Sequence, residues 1–183
     1  MGDNFTDPAA VKLSLEDIYG ESAWSSEALE EQLNQSPAPR GADMLYDAIG
    51  ALGLGPQHLL LDVGCRDTAH TCELVRRYGC RALGVDPVAH NIAKAQALIA
   101  RDNLAERMSA VEGRIEAVPA DDASVDFIWC RDVLTHVPDL RVGLAECRRV
   151  LRPGGMMLVY MTLATESLEP REAAWLFPPL AAV

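Results

Sequence analysis

From residue 42 onward, short apolar segments alternate with longer segments of helical periodicity. Most of the longer segments have the length of the crossover helices that join parallel strands. Because strands connected in this way pair in parallel, the alternation predicts an open α/β sandwich with a mostly parallel sheet. The predicted strands lie at residues 59–63, 81–86, 109–115, 125–130 and 156–163.

Four helices are predicted from apolar residues that recur at helical spacing. The second covers residues 68–78 and ends at Gly79, and the third runs from Val88 to about Asn103. The first is assigned an apolar face made of Met44, Leu45, Ala48, Ile49 and Leu52. The fourth, at residues 139–151, is assigned a face made of Leu140, Leu144, Cys147 and Leu151. We expect these faces to pack on the sheet.

Composition divides the chain into three parts. Residues 1–40 are predicted to form an acidic helical arm, and its first 36 residues hold eight acidic residues against Lys12 alone. The stretch SPAPRG at residues 36–41 is read as a hinge, because its prolines and glycine interrupt any helix. Residues 41–165 form the α/β core, and residues 166–183 are the start of a shortened C-terminal segment.

The net charge, the apolar runs and the cysteines indicate which partners and which cellular location to expect. A formal net charge of −11 argues against nucleic acid as a partner, since phosphates need a basic face. No apolar run approaches the ~20 residues that cross a bilayer, which argues against a membrane. The five cysteines form no CxxC pair and no Cys/His ligand spacing, so they predict reduced thiols and no metal site. We therefore expect a cytoplasmic protein.

Two turns at the carboxyl ends of predicted strands carry the chemistry. The first strand runs into Asp62-Val-Gly64, where glycine lets the backbone bend sharply and approach a ligand. The second strand ends at Asp86, 22 residues after Gly64, near the ~20-residue spacing at which a carboxylate accepts from ribose hydroxyls. Ligands bind at these strand ends in open α/β sheets. Together the two turns predict a nucleoside site.

The first turn, GCRDTA, argues against a dinucleotide as the ligand. A dinucleotide site needs G-x-G-x-x-G, and only the first glycine is present. Asp67 would also add negative charge where a pyrophosphate lies. S-adenosylmethionine carries no phosphate and escapes both objections. The sequence therefore favours S-adenosylmethionine over a nicotinamide or flavin dinucleotide.

Four motifs in order closely resemble the Rossmann-like S-adenosylmethionine-dependent methyltransferases. They are LLLDVGC, GVDP at 84–87, EGRIEAVPADDASVDFIWCRDVLTHV at 112–137 and LRPGG at 151–155. The resemblance covers roughly residues 40–165, and the nearest branch includes quinone-biosynthesis, sterol and glycine or sarcosine methyltransferases. It implies a three-layer Rossmann-like sandwich and methyl transfer to a nitrogen, oxygen or carbon atom of a small molecule.

The resemblance also implies roles for individual residues. Gly64 would pack against the methionine part of the cofactor, with Asp62 supporting the loop beneath it. Asp86 would hold the ribose hydroxyls. The remaining positions are those at the adenine, the methyl-transfer region and the substrate pocket, where His136 is also a candidate general base: Arg114, Ile115, Arg131 and His136.

The chain departs from the family pattern at several positions. Arg66 and Thr68 replace the later glycines of the usual G-x-G-x-G turn, and Arg114 replaces an aspartate. Arg66 is a candidate partner for the cofactor carboxylate, and Thr68 for capping the next helix. Ala120 and Val125 stand where aromatic residues are common in the family.

The end of the chain raises an alternative to an enzyme. After the fifth strand the sequence shows neither of the two further strands that relatives use to complete the sheet. An uncovered strand edge favours pairing with another chain, so we expect a truncated or self-associating protein, as a homo- or hetero-oligomer. The alternative hypothesis is therefore a non-catalytic methyltransferase-like module that binds a partner protein.

Overall fold

The computed structural model describes residues 41–162 and shows a single five-stranded sheet. The strand order is β3-β2-β1-β4-β5, and all four neighbouring pairs are parallel. The strands are β1 at Leu59–Val63, β2 at Arg81–Asp86, β3 at Met108–Glu112, β4 at Val125–Arg131 and β5 at Leu151–Tyr160. The predicted parallel α/β architecture is confirmed. The predicted arm and the predicted C-terminal segment lie outside the described residues.

Within residues 41–162, four α-helices and one short 3₁₀ turn connect and flank these strands. They are α1 at Asp43–Ala51, α2 at Ala69–Tyr78, α3 at Ala89–Arg101, α4 at Leu140–Val150, and the turn at Leu134–His136. The α2 helix ends at Gly79 in a left-handed conformation, as the sequence predicts. Over residues 41–162, no helix is long and apolar enough to cross a membrane.

The sheet is covered on both faces, which gives the three layers of the sandwich. On one face, Leu60 packs in a cluster with residues of α1, α2 and α3. On the other face, Leu61 and Val63 pack in a second cluster with Cys147 and Val150 of α4. Because β1 is central and covered on both sides, every position from Leu60 to Val63 is buried. This explains why β1 is apolar apart from Asp62.

The third strand is shorter than predicted. It ends at Glu112, so Arg114 and Ile115 lie in the following loop and not on the strand. The amide of Gly113 donates to the carbonyl of Asp86 at 3.0 Å, and the chain then turns at an isolated bridge between Arg114 and Ala117. The turn places the two predicted residues beside the end of β2.

The apolar face predicted for α4 is wrong. The error lies at Leu140 and Leu144, which are exposed; Cys147 is buried as predicted, together with Gly143 and Val150. Glycine permits the closest approach: a Cβ atom at Gly143 would lie 3.3 Å from side-chain carbons of Ile115 and of Val137. The helix is therefore rotated so that its narrowest side faces its neighbours.

The face of α1 is rotated in a similar way. Leu45 and Ile49 are buried as predicted, but Ala48 and Leu52 are exposed. Tyr46 takes the remaining buried position. The phenol ring fills space against the sheet that alanine would leave empty, which explains the rotation.

The fifth strand begins earlier than predicted, at Leu151. Val125 pairs with Leu151 and Phe127 with Met156, so the residues between the two pairs bulge out of the ladder. Gly154 there has φ +82°. The predicted PGG turn is thus an irregularity inside β5.

Candidate functional site

A pocket of about 260 Å³ opens at the carboxyl ends of β1, β2 and β4 and at the loop after β3. Parallel sheets place strand ends on one edge, and this is where open α/β folds bind ligands. All seven residues selected from the sequence line this one pocket: Asp62, Gly64, Asp86, Arg114, Ile115, Arg131 and His136. Their proximity is a structural fact, and their roles stay predictions.

Gly64 forms the turn after β1, and the structure shows two reasons for glycine there. Its φ is +71°, a left-handed conformation that L side chains rarely adopt. A Cβ atom would also lie 2.4 Å from Cγ2 of Val133. The amides of Gly64 and Cys65 both donate to the carbonyl of Val85, at 2.7 and 3.1 Å. The turn is therefore bound tightly to the end of β2.

Arg66 and Thr68, at the positions of the later glycines of the family pattern, both adopt a backbone conformation that glycine favours. Their φ angles are +48° and +63°, so three alternate positions of the turn are left-handed. Such a conformation costs about 1–2 kcal/mol for a residue with a Cβ atom. Thr68 is fully buried, which fixes it in place despite this cost. The unusual sequence therefore preserves the shape of a glycine-rich turn.

The prediction that the Thr68 side chain caps the next helix is wrong. Thr68 occupies the position before α2, but its hydroxyl donates to the carbonyl of Asp67 at 2.6 Å. The amide of Ala69 instead donates to Oδ1 of Asp67 at 3.2 Å. Asp67 thus takes the capping role, and it also lines the pocket.

Asp86 joins the two turns. Its Oδ2 accepts from the amide of Arg66 at 3.0 Å, and its Oδ1 accepts from the amide of Val88 at 3.0 Å and from Nδ2 of Asn91 at 3.1 Å. Because a carboxylate oxygen can accept two hydrogen bonds, Oδ2 retains capacity for a ligand hydroxyl. The side chain is at once a structural link and a pocket-facing acceptor.

Asp62 forms a buried floor beneath the turn. It is only 4% exposed, and the hydroxyl of Thr71 donates to its Oδ2. Burial raises the pKa of Asp62 to about 7, and the nearby charge of Asp86 acts in the same direction. The positive charge of a cationic ligand would favour the ionised form of the Asp62 carboxyl.

A chain of polar contacts that the sequence did not reveal borders the pocket. The guanidinium of Arg131, at the end of β4, contacts Nε2 of His70. Nδ1 of His70 lies 2.5 Å from the hydroxyl of Tyr46. Burial lowers the pKa of His70 to about 4, so the imidazole is neutral. No local periodicity could have indicated these contacts, because they join α1, α2 and β4.

The opposite side of the pocket is formed by the loop after β3. Ile115 is 7% exposed and presents an apolar surface. The Arg114 side chain is half exposed, and its Nε lies 3.6 Å from Oε2 of Glu116. This side of the pocket therefore combines an apolar wall with a charged rim.

Arg149 of α4 holds that loop in position. Its guanidinium donates to the carbonyl oxygens of Val118 at 3.0 Å and Ala120 at 2.9 Å, and to Oδ1 of Asp122 at 2.7 Å. Glu146 accepts from Arg149 and from the amide of Val118. The sequence places Arg149 only near a helix end, where its charge is favourable. Its role as a clamp required the structure.

His136 closes the third side. It ends the 3₁₀ turn after β4, and its amide donates to the carbonyl of Val133 at 2.9 Å. The side chain is half-buried and faces the pocket beside Val137. The imidazole therefore faces the same pocket as Asp86 and Arg131.

Known proteins match much of this chain. A sterol 24-C-methyltransferase of Gibberella zeae is 30% identical over 115 residues, which are 63% of this chain and 30% of that protein. A malonyl-[acyl-carrier protein] O-methyltransferase of Serratia marcescens is 35% identical over 142 residues, covering 71% of this chain and 52% of that one. The chain thus spans about a third to a half of the length of these relatives.

A solved structure and a family profile extend the comparison. The structure of geranyl diphosphate methyltransferase in complex with SAM has a TM-score of 0.62, 21% identity, and coverage of 75% of this chain and 56% of that one. That likeness shows the fold. The sequence profile of a family described as "Methyltransferase domain" matches residues 61–159, more than half of the chain. The chain therefore belongs to the methyltransferase domain family.

Proposed function

We propose that the pocket binds S-adenosylmethionine and that the chain transfers the methyl group to a small-molecule acceptor. The observation that carries the proposal is the position of Asp86, whose carboxylate meets the Gly64 turn at the edge of the pocket. A carboxylate at the end of the second strand is the group that accepts from ribose hydroxyls. Membership in the methyltransferase domain family supports the same ligand.

The residues present fit the proposed cofactor. Oδ2 of Asp86 can accept from ribose, and Ile115 offers the apolar surface that an adenine ring needs. Gly64 leaves the ligand side of the turn without a side chain. The turn contains a carboxylate, Asp67, where a pyrophosphate would require donors, and this disfavours a dinucleotide. The donor and acceptor set therefore matches a nucleoside with an amino-acid tail.

The chemical demands on the protein are modest. When bound, S-adenosylmethionine supplies a methyl group on a cationic sulfur, already activated for displacement. The chain has to align the acceptor and exclude water, which contributes to rate through proximity and orientation. Val133 and Val137 line the pocket next to His136 and make this side apolar. We assign His136 the removal of a proton from the acceptor, because its imidazole lines the pocket beside Val133 and Val137.

The class of acceptor follows from the relatives only as a proposal. The names of two relatives specify a sterol carbon and an oxygen of a malonyl group on acyl-carrier protein. These support a carbon or oxygen atom of a small molecule as the acceptor here, and a nitrogen acceptor remains within the proposal. Five free and buried cysteines support a reducing, cytoplasmic location.

We test the proposal by isothermal titration of the native chain with S-adenosylmethionine and S-adenosylhomocysteine. We expect micromolar binding, and a loss of at least about tenfold in Asp86→Ala, since a hydrogen bond to a charged group is worth about 1.5–3 kcal/mol. Asp121→Ala is the matched control, because it removes an exposed carboxylate away from the pocket. A folded native chain that binds neither ligand would overturn the proposal and favour the partner-binding module.

We also propose that the chain self-associates at β5. Within the described part of the chain, β5 pairs with β4 alone, and it exposes Met156 and Val159. An edge strand with exposed apolar side chains is a pairing site. Sedimentation of the native chain and of Val159→Lys tests this: we expect a concentration-dependent dimer that the lysine weakens. A native monomer at all concentrations would rule it out.

A further inference from the structure

We propose that His70 is a positioning residue that holds the guanidinium of Arg131 where it binds the carboxylate of the cofactor's methionine end. The inference rests on the proposed function, because it assigns a part of the same site. It is carried by the contacts of His70 with Arg131 on one side and with Tyr46 on the other.

The hydrogen-bonding capacity of the three side chains fixes the direction of the contacts. A guanidinium only donates, so Nε2 of His70 must be the acceptor from Arg131. The ring hydrogen of a neutral imidazole then lies on Nδ1, which donates to the hydroxyl oxygen of Tyr46. Arg131 and Tyr46 thus select one tautomer. With that tautomer, the lone pair of Nε2 orients the guanidinium.

Tyr46 is itself held firmly. Its ring stacks on Trp129, with centroids 5.9 Å apart and planes 23° apart. The hydroxyl of Tyr78 donates to the carbonyl oxygen of Tyr46 at 2.9 Å. The guanidinium carbon of Arg77 lies 4.7 Å from the ring centroid on a face of the phenol. The contact chain therefore ends on a rigid part of the core, as a positioning device requires.

The location of Arg131 matches the end of the ligand opposite to the ribose. Asp86 ends β2, on one side of the central strand β1, and Arg131 ends β4, on the other side. A ligand with its ribose at Asp86 passes over the Gly64 turn to reach Arg131. A guanidinium binds a carboxylate through two parallel hydrogen bonds, so its orientation matters as much as its charge.

The neutrality of His70 agrees with this role. Burial, and next the charge of Arg131, hold the pKa of His70 at about 4. Asp67 acts on His70 in the opposite direction and Arg66 in the same direction as Arg131. A protonated imidazole would present N–H groups on both sides and repel the guanidinium. The neutral ring instead accepts from Arg131 and adds no second positive charge beside it.

The test compares S-adenosylmethionine with its decarboxylated form, which keeps the ammonium and sulfonium groups and lacks only the carboxylate. Isothermal titration of the native chain should show at least about tenfold tighter binding of the complete cofactor, the range for a charge-assisted hydrogen bond. In His70→Leu we expect most of this preference to disappear, while the affinity for the decarboxylated ligand stays within about twofold. The ratio of the two affinities is the readout.

Further variants separate positioning from general damage. His70→Gln should restore part of the preference, because its amide oxygen can accept from Arg131. His90→Leu, the same substitution outside the pocket, should leave the ratio unchanged. Arg131→Gln should remove the preference, and the double variant with His70→Leu should lose no more, since His70 acts through Arg131. Tyr46→Phe, which retains the stacked ring, should lower the preference about threefold.

Several results would overturn the inference. One is an equal loss of affinity for both ligands in His70→Leu. Another is a native chain that binds S-adenosylmethionine and its decarboxylated form equally well. A third is a preference that Arg66→Ala removes and His70→Leu does not, because the sequence also suggested Arg66 as the carboxylate partner. Failure of the proposed function looks different: the native chain would then bind neither ligand.

Discussion

The backbone amide of Arg66 donates to the carboxylate of Asp86 at 3.0 Å and thereby joins the turn after β1 to the end of β2. The amide can point this way because Arg66 is in the left-handed conformation, with φ +48°. The two features that the sequence suggested for a nucleoside site are thus one connected structure. A ligand that binds Asp86 also contacts a turn whose shape Asp86 stabilises.

Replacing Gly64 should be strongly destabilising for two separable reasons. In Gly64→Ala the methyl group is strained by φ +71° and collides with Val133, 2.4 Å away. We expect a loss of about 2–4 kcal/mol in the free energy of unfolding, measured in urea. Gly53 has φ +95° and no atom within 4 Å of an added Cβ atom. Gly53→Ala should therefore lose only the stability that the strained backbone torsion costs. Adding Val133→Ala to Gly64→Ala should recover the steric part, and no recovery would argue against the collision.

Arg66→Gly should stabilise the fold. The substitution removes the left-handed penalty of an exposed residue and keeps the amide that donates to Asp86. We expect a gain of about 0.5–1 kcal/mol in the free energy of unfolding, less than the full penalty because glycine gains unfolded-state entropy. Thr68→Gly should instead destabilise, since Thr68 is fully buried and its side chain packs beside Gly84. A stabilising Thr68→Gly would show that strain outweighs packing in this turn.

The free energy of unfolding should depend on pH through the titration of Asp62. Its pKa is raised to about 7 in the folded state, from 3.8, mainly by burial. The contribution of this group is therefore fully present below pH ~4 and is lost as the pH rises through about 7. Asp62→Asn keeps an acceptor for Thr71 and removes the titration. Between pH 5 and pH 8, the urea midpoint of unfolding should fall more for the native chain than for the variant. Equal falls in the two proteins would contradict the assignment.

Loss of Arg149 should loosen the wall at Ile115. Arg149→Ala leaves the carbonyls of Val118 and Ala120 without the guanidinium that now donates to them. We expect destabilisation of about 1–3 kcal/mol and weaker binding of S-adenosylhomocysteine, followed by thermal melting and titration. Arg148→Ala is the control, because Arg148 is the next residue on the same helix and its side chain is exposed. Similar effects in both variants would mean that helix charge matters and the clamp does not.

Elements covered on both faces were predictable from sequence. The ranges of β1 and β2 agree with the prediction residue for residue, because a strand buried on both sides is apolar over most of its length. The pocket followed from the rule about strand ends, which brought together seven residues that lie at or after the ends of four strands.

Other features depend on contacts between distant residues and left no local pattern. The face of α4 was assigned from Leu140, Leu144, Cys147 and Leu151, but the close approach at Gly143 sets the rotation that exposes the first two. The contact between His70 and Arg131 joins residues 61 positions apart, and that between Tyr46 and His70 joins residues 24 apart. Periodicity reports the burial of a single element, so it does not contain such pairings.

The turn after β1 has a wider consequence for how such chains are found. Positions 64, 66 and 68 adopt the same class of backbone torsion, yet only the first is glycine. A search pattern written in residue letters requires glycine at all three and would pass over this chain. A pattern written in torsion angles would retain it, and would separate positions where a Cβ atom collides, as at Gly64, from those where one is merely strained.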